Sequence, residues 1–66
     1  MIVIVNGEKR ELTPGTTVAE LVAELTPAEH GVAVAVNGTV VPRGTWESTE
    51  LHDADRVEVL TAVQGG

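Results

Sequence analysis

Apolar residues along this chain fall into several short clusters and one helical stripe. Ile2-Val3-Ile4-Val5 is β-branched throughout and predicts a strand. Asn6-Gly7 separates it from a second run, Glu8 to Leu12. Two residues of the Asn-Gly type between such runs are a strong hairpin signal, because both turn positions need positive φ. Pro14-Gly15 marks a turn. Val18, Leu21, Val22 and Leu25 then recur at i, i+3, i+4 and i+7, the spacing of one helix face. Thr17 followed by Glu20 has the capping-box spacing, and Pro27 disfavours helical geometry at Thr26, so the helix is bounded at both ends. Val32 to Val36 is wholly apolar and predicts a buried strand. Asn37-Gly38 turns it into Thr39-Val40-Val41, which Pro42 ends. Residues 43–55 are expected to be irregular, with a turn around Asp53-Ala54-Asp55. A last strand is expected from about Arg56 to Val63, leaving Gln64-Gly65-Gly66 as a short tail.

The order is strand, strand, helix, strand, strand, strand, and one helix can cover only one face of such a sheet. Two hairpins joined by a helical crossover form the β-grasp, or ubiquitin-like, arrangement. The predicted class is therefore α+β, a mixed sheet with one helix packed on one face. Residues 1–63 form the β-grasp domain and 64–66 a flexible Gly-Gly tail.

A sheet covered on one side alternates apolar and polar residues, and three of these strands do not. Ile2 to Val5 offers four apolar residues where about two can face the helix. Val32 to Val36 places three valines on one face and Ala33 and Ala35 on the other. In the last strand Val57 and Val59 share one parity, and Glu58, Leu60 and Ala62 the other. Glu58 marks the solvent side, so Leu60, Ala62, Ala33 and Ala35 are expected to form an exposed apolar surface near the tail. Surplus apolar surface of this kind points to a docking face for a partner, the alternative being that loops or a dimer partner cover it.

Composition narrows the possibilities. The chain has 66 residues, enough for one domain, and a domain of this size buries only about 60% of the surface its unfolded chain exposes. Trp46 is the single aromatic residue, so the core is aliphatic. Ten acidic against four basic residues give a net charge of −6, which argues against nucleic acid and against anionic membrane surfaces as partners. With no cysteine there is no disulfide framework, thiolate metal site or thiol nucleophile. The N-terminus lacks a basic segment followed by an apolar stretch, and no apolar run approaches a membrane span, so a cytoplasmic location is expected.

The catalytic inventory is poor, and an enzyme is not expected. His30 and His52 stand alone without metal-ligand spacing and read as surface or turn residues, so no metal site is expected. Asp53 and Asp55 read as turn residues. Ser48 has no His/Asp arrangement in local sequence. Trp46 reads as a packing residue. Arg43 is expected to pair with a carboxylate of its own domain or to meet a partner. What remains is the Gly65-Gly66 end. Three residues extend about 10 Å, enough to carry a carboxylate off the domain and into a partner's channel. Glycine has no Cβ and threads a narrow slot. A free carboxylate is a poor acyl donor until an ATP-dependent enzyme converts it to an acyl-adenylate. A sulfur nucleophile can then displace AMP and leave a thiocarboxylate.

Several stretches carry a family resemblance. They are Ile2-Val3-Ile4-Val5-Asn6-Gly7, then Val34-Ala35-Val36-Asn37-Gly38-Thr39-Val40-Val41-Pro42-Arg43 with Trp46 after it, and Val59-Leu60-Thr61-Ala62-Val63-Gln64-Gly65-Gly66. In these the chain resembles the ThiS family, sulfur carriers of thiamine biosynthesis, over essentially all of its length. It departs at Ala54, where similar proteins often have glycine between two aspartates. The resemblance implies a carrier modified at Gly66, with Gly65 and Gln64 as its tail. It implies a ThiF-like adenylyltransferase using ATP and Mg2+, a persulfide donor drawing ultimately on cysteine, and the thiazole synthase ThiG as sulfur acceptor. The chain itself binds no cofactor in this reading and is a monomer when free.

Three other functions fit the same fold. A small subunit of molybdopterin synthase shares the Gly-Gly end and apolar face, although such chains are usually longer. A ubiquitin-like modifier would be joined to lysines of target proteins. A noncovalent binding module would not need its Gly-Gly end.

Overall fold

The computed structural model describes residues 1–28 and 30–62. Val63 and the expected tail residues Gln64, Gly65 and Gly66 lie outside the described residues. Among the described residues, five strands, one α-helix and one 3-10 helix follow in the order β1 (Ile2–Val5), β2 (Glu8–Glu11), α1 (Val18–Leu25), β3 (Val32–Val36), β4 (Thr39–Val40), the 3-10 helix (Arg43–Ser48) and β5 (Arg56–Thr61). The sheet order is β2-β1-β5-β3-β4. Both hairpins, β1/β2 and β3/β4, are antiparallel, β3 and β5 are antiparallel, and β1 runs parallel to β5 at the centre. This is the mixed β-grasp sheet expected from the sequence.

Local chemistry accounts for the boundaries. Asn6-Gly7 and Asn37-Gly38 have φ of 51° and 83°, and 51° and 84°, the paired positive values that a tight two-residue hairpin requires. At the start of α1 the Glu20 N–H donates to Thr17 Oγ1 at 3.2 Å, and the Thr17 N–H donates back to Glu20 Oε1 at 2.9 Å, so the capping box is complete. At its end Thr26 is already extended, with φ −154°, ahead of Pro27. Two strands are a residue shorter than expected. Leu12 follows β2 and donates its N–H to Met1 O, and Val41 follows β4 and donates to Val34 O.

Helix α1 lies on one face of the sheet and closes an aliphatic core. Val3, Val5, Val34, Val57 and Val59 point into it from the sheet, and Val18, Leu21 and Val22 from the helix. Each such side chain contributes about 1.5–3 kcal/mol on burial. Residues 43–48, expected to be irregular, instead form the 3-10 helix. Its only buried side chain is Trp46, 6% exposed, whose indole N–H donates to Val41 O at 2.9 Å. Hydroxyls hold this short element: Thr45 donates to Pro42 O, and Ser48 and Thr49 donate to Thr45 O. A single buried residue in two turns leaves no apolar period to read from sequence.

Candidate functional site: the open face of the sheet and the root of the tail

Among the described residues nothing covers the side of the sheet away from α1, and the strand parities decide what it presents. On β5, Val57 and Val59 turn into the core, while Leu60 is 67% exposed. The β3–β5 register places Ala33 opposite Leu60 and Ala35 opposite Glu58. Ala35 in turn faces Val40 of β4, which is 71% exposed. Alanine methyls are too short to shield their neighbours, so Leu60 and Val40 stand above the sheet. Ile2 and Ile4 extend the same face across β1, because Val3 and Val5 take the core side. Charged groups interrupt the surface: Ile4 lies between Lys9 and Arg56, and Glu58 between Arg56 and Leu60.

Sequence parity therefore placed Leu60, Ala33 and Ala35 correctly together. Ala62 is exposed but lies one position beyond β5, since the strand ends at Thr61 rather than at Val63. Its N–H donates to Gly31 O at 2.7 Å, which extends the antiparallel register by one pair. A Cβ on Gly31 would meet the Ala62 Cβ at 2.9 Å, and Gly31 has φ +71°. At Ala62 the chain can approach the α1–β3 connection this closely only because residue 31 is glycine.

Val40 on this face, and Gly31 and Asn6 at the ends of its strands, escaped the sequence reading; the Asn6 side chain bonds to the backbone of Val59. Val40 was within reach, because the two-residue Asn37-Gly38 turn fixes it opposite Ala35. Gly31 and Asn6 were not, because their contacts join segments far apart in the chain.

The remaining singled-out residues lie elsewhere. Arg43 pairs with no carboxylate among the described residues; it lies over the Trp46 ring at 5.0 Å instead, a cation–π contact on the helix side of the molecule. It borders a groove of about 480 Å³ between α1 and the 3-10 helix, on the opposite side of the sheet from Leu60. Asp53 and Asp55 lie at the turn around Ala54, as expected, and the Asp53 carboxylate also ties that turn to β1. Asp53 accepts from the Ile2 N–H at 2.7 Å, and Asp55 accepts from the His52 N–H and from Asn37 Nδ2. His30 and His52 are exposed. Among the described residues no group of three or more His, Asp or Glu side chains could hold a metal ion, and no helix is long and apolar enough to cross a membrane.

Comparison with known proteins gives this arrangement a family. The model of the ThiS family matches residues 3–66. The sulfur carrier protein ThiS of Escherichia coli K12 is 30% identical over 66 residues, covering all of both chains. The crystal structure of the thiamine biosynthesis protein ThiS from Geobacter metallireducens superimposes with a TM-score of 0.81 at 33% identity, covering all of both chains. Thiazole synthases of Paramagnetospirillum magneticum and Magnetococcus marinus are 32% and 38% identical over 66 residues, and the chain spans only one fifth of their length. The chain belongs to the ThiS family of sulfur carriers in thiamine biosynthesis.

Proposed function

We propose that this chain carries sulfur as a thiocarboxylate on Gly66 and delivers it for thiazole formation. The carrying observation is the match to a sulfur carrier protein over the whole length of both chains. A ThiF-like enzyme, with ATP and Mg2+, supplies the activation: a Gly66 carboxylate oxygen attacks the α-phosphorus of ATP and pyrophosphate leaves. A persulfide sulfur derived from cysteine attacks the acyl carbon and AMP departs. A thiol then reduces the resulting acyl disulfide, leaving the thiocarboxylate. Stabilising charge for these steps belongs to the partner's site, and this chain acts as a protein co-substrate.

Leu60, Ala33, Ala35 and Ala62 form the docking face in this reading. Four residues follow Ala62 and extend at most about 14 Å. A partner holding Gly66 in its active site must therefore rest against the end of the sheet where Leu60 stands exposed. The similarity of the whole chain to one fifth of two thiazole synthases supports a thiazole synthase as sulfur acceptor, in preference to a molybdopterin synthase.

The test is ATP–pyrophosphate exchange with the cognate adenylating enzyme. Adding one residue after Gly66 is expected to abolish exchange while the domain stays folded, because the reacting carbon has moved. Undiminished exchange by the extended chain contradicts the proposal.

A further inference from the structure

β1 pairs with β5 only as far as Val5 opposite Val57. At Asn6 the backbone takes φ 51° and turns away into β2. In a continuing parallel ladder, residue 6 would donate its N–H to Val57 and accept from the Val59 N–H with its carbonyl. The first bond is made, at 2.8 Å. The second is made by the side chain: Asn6 Oδ1 accepts from the Val59 N–H at 2.8 Å. Asn6 Nδ2 also donates to Val59 O at 3.1 Å, a bond that the N–H of the next strand residue but one would otherwise supply. The carboxamide thus acts as one more step of a strand that has already ended.

Val59 is also the last core residue of β5. Beyond it Leu60, Thr61 and Ala62 are exposed, and their described strand partners are Ala33, Val32 and Gly31, all on the β3 side. We infer that Asn6 is a positioning residue for the carrier's reaction: its carboxamide holds β5 at Val59 and so sets the direction in which Leu60 and the tail root meet the partner. The claim about reaction rests on the sulfur-carrier reading; the claim about β5 does not.

Asn37 supplies an internal control. It has the same φ and the same following glycine, and its Oδ1 accepts from the Arg56 N–H at 2.9 Å, but at the opposite end of β5. Asn6→Gly and Asn37→Gly each keep a turn compatible with positive φ and remove one carboxamide.

The experiment measures hydrogen exchange at the Ala62 amide of the free chain, whose bond to Gly31 neither substitution touches. It adds steady-state ATP–pyrophosphate exchange with the cognate adenylating enzyme, at a temperature where both variants are fully folded. Asn6→Gly is expected to speed Ala62 exchange about tenfold relative to Asn37→Gly, by opening the end of β5 locally. It is expected to raise KM for the carrier by up to that same factor, with kcat nearly unchanged, because fewer free molecules present the competent end. Asn6→Asp, which keeps the acceptor for Val59 N–H but loses the donor, is expected to fall between. Equal Ala62 exchange in the two glycine variants overturns the hold on β5. Faster Ala62 exchange with an unchanged KM overturns the role in the reaction. An enzyme that fails to adenylate the unsubstituted chain overturns the carrier reading and the reaction role with it, while the exchange data still decide the hold on β5.

Discussion

Leu60 lies directly across the β3–β5 ladder from Ala33, and the pairing leaves the leucine two-thirds exposed near the end of β5. One residue earlier, Val59 is 7% exposed and sits in the core against the helix side. The two neighbours thus report on different properties. Leu60→Glu is expected to leave the domain folded and to weaken binding to the adenylating enzyme tenfold or more. Burying a leucine contributes about 1.5–3 kcal/mol, and about 1.4 kcal/mol corresponds to a factor of ten. Val59→Glu is expected to unfold the chain by placing an unpaired carboxylate in an aliphatic core. Thermal melts and a binding titration on both variants decide it. A folded Val59→Glu protein beside an unfolded Leu60→Glu protein would reverse the assignment of the two faces.

Thr17 makes one half of the capping box, and its loss leaves the Glu20 N–H without its partner. Thr17→Ala is expected to cost about 1 kcal/mol. In a domain of this size that is a visible fraction of total stability. An unchanged urea midpoint would show that the cap contributes nothing.

Ala54 has φ 71°, in the left-handed region where a Cβ is strained, and its N–H is committed to Ile2 O at 2.7 Å. The side chain is exposed and nothing is lost by removing it. Ala54→Gly is expected to stabilise the fold by roughly 0.5–1 kcal/mol, the relief of strain exceeding the extra freedom of glycine in the unfolded chain. A lowered melting temperature would contradict that account of the turn between Asp53 and Asp55.

Much of this fold was legible because its signals are local. The Asn-Gly turns, the Thr17–Glu20 cap and Pro27 each act within four residues, and they placed β1, β2, α1, β3 and β4 to within a residue. Parity along β5 separated Val59 from Leu60 because a strand's period of two leaves no intermediate choice. The 3-10 helix was hidden, since Trp46 is its single buried residue and hydroxyl-to-carbonyl bonds replace an apolar stripe. Asn6 read only as a turn residue. Its bonds to Val59 span more than fifty positions and become visible only once β1 lies beside β5. Gly31 was silent for the same reason, because its need for a bare α-carbon comes from Ala62. Arg43 misled in one respect, because a charge near acidic residues suggests an ion pair while the Trp46 ring offered the closer surface.

The central claim is that sulfur travels on Gly66, and intact-mass analysis of the protein purified from its host tests it most directly. A fraction in which one oxygen is replaced by one sulfur is expected, localised by fragmentation to Gly66. That fraction is expected to disappear when the adenylating enzyme is deleted. A protein whose Gly66 carries only the unmodified carboxylate while thiazole synthesis proceeds, or whose sulfur resides at another residue, would contradict it.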